Sequence, residues 1–142
     1  MWEQAVRGEL ERWRSTPLAA LALIVVLDQF SRNMFRGTPR AFAGDPAALA
    51  AAASVIERGF DRPLSAQERT FVYMPFEHAE DLAAQRRSLA LFEALDPNDM
   101  EYARRHHEII ARFGRFPHRN AVRSRESTPE EIEFLKRPGS SF

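Results

Sequence analysis

Apolar residues recur along this chain at helical rather than strand spacing. Val6, Leu10 and Trp13 stand four and three apart, which predicts one amphipathic helix over residues 3–14. Leu18 to Leu27, "LAALALIVVL", is apolar on every side, so the first half of a helix from Pro17 to about Phe35 belongs inside the protein. Thr16 can cap that helix, Pro17 fits its first position, and Gly37 and Pro39 end it. The same grammar returns in "GDPAALAAAASVIERGF", where Asp45 reads as the cap, Pro46 as the opening residue and Gly59 as the stop. The run Ala47 to Ala53 favours helix and lets a neighbour approach closely. Ser65 to Glu68, "SAQE", has the form of a capping box. Pro75 is expected to kink or break the next helix, with a long one from about Phe76 to Ala94 turning Leu82, Leu89 and Phe92 inward. A further helix starts at "DPND", Asp96 to Asp99, and ends near Gly114; a short one opens at Thr128 and Pro129, and "RPGSSF" reads as a frayed end. No stretch alternates like a strand between hairpin turns. The prediction is one all-α domain over residues 1–142, made of antiparallel helix pairs joined by short loops.

Polar residues gather where these helices stop. Asp28, Arg32 and Arg36 are four apart after the apolar run, on one face, with Asn33 and Arg40 close by. An ion pair closing a helix accounts for part of this; an anion or carboxylate site accounts for the surplus of hydrogen-bonding side chains. In "PFEHAED", Glu77 and Asp81 are four apart and His78 and Asp81 three apart. A carboxylate one turn from an imidazole can orient and charge it, as acid–base chemistry requires, although an acidic first helical turn has the same appearance. "RFGRFPHRNAVRSRESTPEE", Arg112 to Glu131, interleaves Arg115, Arg119, Arg123 and Arg125 with Phe113 and Phe116. It is either a solvated basic loop or part of a site in which His118 and Asn120 make directional hydrogen bonds.

Totals narrow the choices. A chain of 142 residues, 44% hydrophobic with 11 Phe and 2 Trp, can bury a real core. Twenty basic and 20 acidic residues cancel, so no nucleic-acid partner is expected. The longest apolar run is about half a membrane span, and the charged start lacks a signal-peptide core, so no membrane partner is expected and the location reads as cytoplasmic. With no cysteine there is no disulfide or thiolate. Neither Glu-x-x-His pairs nor His-Glu-x-x-His occurs, and the adjacent His106 and His107 point to different helix faces, so no metal and no cofactor is expected.

Taken together, "LDQFSRNMFRGTPRAFAGD", "YMPFEHAED", "RFGRFPHRNAVRSRESTPEE" and "PGSSF" resemble a bacterial family catalogued only as a domain of unknown function. The resemblance covers nearly the whole chain. It implies an all-helical, tetratricopeptide-like superhelical stack and no assigned activity. Similar members carry a further N-terminal segment before the position of Trp2. Either the start is misplaced or this member is short; a missing helix is expected to leave apolar surface for something else to cover, such as a second copy in a homo-oligomer. Two functions follow. One is a site for a small anionic ligand or peptide terminus, binding alone or also catalytic, formed by Asp28, Arg32, Asn33, Arg36, His78, Asp81, His118, Arg119 and Asn120. The other is a protein-binding scaffold in which these clusters are structural. The first needs the side chains converging on an open cavity. The second needs them paired and closed.

Overall fold

In the computed structural model, which describes residues 1–142, every regular element is helical: α1 (Trp2–Val6), α2 (Pro17–Val25), α3 (Ser31–Met34), α4 (Asp45–Glu57), α5 (Ala66–His78), α6 (Leu82–Leu95), α7 (Glu101–Phe113) and α8 (Pro129–Leu135). Short 3-10 turns stand at Glu11–Ser15, Pro39–Phe42 and Pro117–Arg119. Three of the expected side-chain caps operate as written. The Thr16 hydroxyl accepts the amide of Ala19, and Ser65 and Thr128 complete capping boxes with Glu68 and Glu131. Gly114 closes α7 in the left-handed conformation at φ 72°. No helix is long and apolar enough to cross a membrane.

Four local expectations change. The stripe over residues 3–14 is not one helix: Gly8, at φ 77°, ends the first turns and a 3-10 turn carries Trp13. The helix expected from Pro17 to Phe35 widens into a π turn, Val26–Phe30, between α2 and α3. Pro75 does not break α5. Its neighbours Val72, Tyr73, Phe76 and Glu77 are all buried, and that burial outweighs one missing amide bond. The break comes instead at residues 79–81, where the buried Gln85 amide donates to the carbonyls of Glu77 (2.7 Å) and Ala79 (2.9 Å) left open at the end of α5. Finally, the C-terminus is packed rather than frayed. The Ser140 hydroxyl donates to the Leu135 carbonyl, and Phe142 stacks on His106 with ring centroids 3.7 Å apart.

Successive helices pack in antiparallel pairs. The start of α4 lies against α3, through Asp45 and Arg32, while Arg58 at its far end reaches the carbonyl of Arg14 just before α2. Tyr73 meets Phe92 across α5 and α6, and Leu82 at the start of α6 packs against Ile109 and Ile110 near the end of α7. The main core joins α1, α2, α4 and α5 through Leu23, Ile24, Leu27, Ala48, Ala52, Val72 and Phe76. Alanines on α4 and Gly44 before it let α4 sit directly on the end of α2. A Cβ on Gly44 would collide with the Leu27 carbonyl. This close approach aims the ends of α2, α4 and α5 at one place.

Candidate functional site

At that place Asp28 lies inside the π turn, 1% exposed. Such turns insert an extra residue and redirect side chains, and they often mark functional positions. One oxygen of Asp28, Oδ1, accepts from His78 Nδ1 at 2.7 Å and from Arg32 at 3.0 Å; Gln29 donates to the other at 2.6 Å. Burial alone would raise the Asp28 pKa. The charge and hydrogen bond of His78, followed by the charge of Arg32, reverse that and hold it lowered. Because a carboxylate only accepts, Nδ1 of His78 carries the proton it shares with Asp28. In the neutral imidazole the lone pair then stands on Nε2.

Glu77, beside His78, has the opposite character. It is 6% exposed and accepts no hydrogen bond from the protein. His106 Nδ1 lies 3.6 Å away but donates to the Tyr102 carbonyl at 2.7 Å. Burial first, then the charges of Asp28 and Asp99, push Glu77 up to about 7. Burial pulls His106 down to about 3, so it is neutral at ordinary pH. Glu77, His78 and His106 all line a cleft of about 510 Å³ between α5 and α7, walled also by Met74, Phe92, Tyr102 and Phe142. Two neighbouring carboxyl groups with pKa values driven apart, one beside an imidazole, form the pattern that acid–base sites use.

The basic clusters are closed behind this cleft. Arg32 spans Asp28 and Asp45, the latter at 2.7 Å. Arg119, 4% exposed, lies over the rings of Phe42 and Phe116, reaches Asp45 at 3.4 Å and Glu80 at 3.8 Å, and donates to the His78 carbonyl at 2.9 Å. Burial lowers Arg119 to about 10, which leaves it charged at neutral pH. Glu80 also accepts from the Phe116 amide, Arg123 and Arg125. Asn120 is buried, bridging Arg125 to Glu131 and Ser127. Arg115 pulls Glu131 down to about 2.

Of the residues singled out in the sequence, Asp28, Arg32, His78 and Arg119 are thus brought together. His118 borders the group: burial, followed by the charge of Arg119, pulls it down to about 4, and its ring lies 5.9 Å from that of Phe142. Asp81 stands apart as the N-cap of α6, accepting the amide of Ala84 at 2.8 Å. Asn33 and Arg36 are exposed on α3 and just after it, and Asn120 belongs to the structural network. Asp45 does not cap α4: Gly44 takes the cap position, and the Asp45 carboxylate is drawn to two guanidiniums that outcompete a backbone amide. Tyr102 and Phe142 escaped the sequence reading, and His106 entered it only as a rejected metal ligand. His106 faces the cleft only because α7 packs on α5, and nothing local to it records that; the spacing of Tyr102 four residues before His106 was the one available signal.

An all-α protein with a histidine–carboxylate cleft between its helix hairpins is the class these features define. The chain belongs to a family of bacterial proteins of unknown function, DUF924, whose model matches residues 1–139. It is similar to the solved structure of a protein of unknown function from Agrobacterium tumefaciens, at 46% identity and a TM-score of 0.90, over 95% of this chain and 77% of that one. No curated protein matches the chain.

Proposed function

We propose that the cleft binds a small molecule in the cytoplasm and performs acid–base chemistry on it, with His78 as base, Asp28 as its orienting partner and Glu77 as acid. The observation that carries this reading is the 2.7 Å contact of Asp28 with His78 beside Glu77, whose pKa is about 7, on the wall of one cavity. His78 takes a proton from the bound molecule, or from water, at Nε2. The imidazolium formed is stabilised by Asp28. The protonated Glu77 gives its proton to the oxygen or nitrogen where negative charge develops. Arg32 and Arg119 are positioning residues: one holds Asp28, the other the backbone of His78.

The test is turnover of small esters, amides and ketones, the last followed by α-proton exchange in deuterated water. His78→Gln is expected to lower the responsive activity by about 10²–10⁴-fold. Unchanged turnover in that variant overturns the reading. A substrate-free check is carbon NMR of the Glu77 carboxyl: a midpoint near 7 is expected, and one in the ordinary carboxylate range would remove its role as acid.

The second reading is a protein-binding scaffold on the tetratricopeptide-like stack that the family resemblance implies. Its support is that Arg32, Arg119 and Arg125 are engaged by acids of the same chain. The same closure argues against the anion at the arginine pair. On that reading His78→Gln changes neither turnover nor ligand binding.

A further inference from the structure

We infer that the occupant of this cleft is an organic cation: an ammonium group on an apolar or aromatic body, its charge toward Glu77, Asp96 and Asp99 and its body against Met74, Tyr102 and Phe142. This rests on the reading of the cleft as a ligand site and adds the chemistry of the ligand.

His78 is engaged by Asp28 and His106 is neutral, which leaves only acids among the other charged side chains of the cavity lining. Glu77, Asp96 and Asp99 line it and no lysine or arginine does. Arg105 lies over the Phe142 ring, but it is tied to the Gly139 carbonyl at 2.9 Å and to Glu101, and it is not part of the lining. Asp96 and Asp99 sit exposed in the loop between α6 and α7; Asp96 accepts only the amide of Asn98 within that loop. The independent observation is Glu77. Its side chain is more than nine-tenths buried, borders the cavity, and has no donor from the protein. A carboxyl this enclosed is hydrated only through the cavity, and a ligand that supplies N–H⁺ groups replaces that water with a partner. The aromatic wall of Phe92, Tyr102 and Phe142 suits both an apolar body and a cation over a ring face. An anion would meet the two loop aspartates with no lysine or arginine on the lining.

Binding is therefore linked to a proton. The groups facing Glu77 are Asp28 from the π turn, His78 on its own helix, His106 and Tyr102 from α7, and Asp99 from the loop. Burial, followed by the charges of Asp28 and Asp99, favours the protonated form of Glu77 in the empty protein. A cation beside it favours the carboxylate, so the proton leaves as the ligand enters; with such a ligand the acidic proton of the site is the ammonium N–H⁺ that Glu77 holds.

The probes are phenethylammonium, its neutral analogue 2-phenylethanol and its anionic analogue phenylacetate, titrated into the intact protein by calorimetry in two buffers and followed by NMR at the cleft. Phenethylammonium is expected to bind at least about tenfold more tightly than 2-phenylethanol, with phenylacetate weakest. It should release up to one proton at pH 6 and almost none at pH 8, and bind more tightly at pH 8. Asp99→Asn, on an exposed loop and so harmless to folding, should weaken it severalfold. Glu77→Gln should abolish both the proton release and the pH dependence. Equal or tighter binding of the neutral or anionic probe overturns the cation while the cleft survives as a ligand site. PH-independent binding of the amine overturns the part given to Glu77. If no probe perturbs cleft resonances, both the ligand class and the ligand site fall.

Discussion

Glu77 provides the sharpest test at a single side chain. Its pKa in the folded protein, about 7, lies above the ordinary 4.5, so the folded state holds a proton that the unfolded state has lost. Stability therefore falls as pH rises between those two values and is level beyond them. Glu77→Gln removes the penalty, by up to roughly 3 kcal/mol at pH 8 and by almost nothing below pH 4.5. Urea unfolding of both proteins at pH 4 and pH 8 checks this; an equal difference at both would show that ionisation is not the cause. Asp28 has the opposite sign. Its lowered pKa gives stability that is present above 3.8 and lost as pH falls through the folded value. Asp28→Ala strands His78 Nδ1 and half of the Arg32 pairing, and is expected to cost about 3–5 kcal/mol at pH 7, read from the same unfolding curves.

Between helices the informative positions are Gly44 and Asp81. Gly44 has an ordinary negative φ, so alanine is not strained there by its backbone; the Leu27 carbonyl occupies the place of the new methyl. Gly44→Ala should push α4 off the end of α2 and cost about 1–3 kcal/mol, visible as a lower Tm. Because Asp45 moves with α4, chemical shifts at Arg32 and Arg119 should change too. Asp81→Ala, by contrast, removes only the cap of α6. About 1 kcal/mol of stability should go, with binding in the cleft unaltered. A loss of binding there would return Asp81 to the site.

Across the molecule, Arg119 ties the segment after α7 to the ends of α4 and α5. It is held by Asp45, Glu80 and the His78 carbonyl, between two phenyl rings. A double-mutant cycle with Arg119→Met and Asp45→Asn should show coupling above about 0.5 kcal/mol, since the two share a partly buried contact at 3.4 Å. Amide exchange over residues 116–125 should accelerate in Arg119→Met. Unaltered exchange would mean that Glu80 and Glu131 alone anchor that segment.

The order and type of the helices, and most of their ends, were legible in the chain because caps, prolines and 3.6-residue periodicity act over one or two turns. The burial of Asp28 was legible as well: an acid directly after "LIVVL" has nowhere else to go. Local rules failed where a distant partner offered more. Pro75 stayed helical because the core took the residues on both sides of it, and Asp45 left its cap for two arginines, one of them 74 residues away. The cleft was decided only by packing. Glu77 and His106 belong to different helices, and the pKa of Glu77 comes from burial and from aspartates that reach it through the fold; neither spacing nor composition encodes a desolvation that exists only once α7 lies against α5.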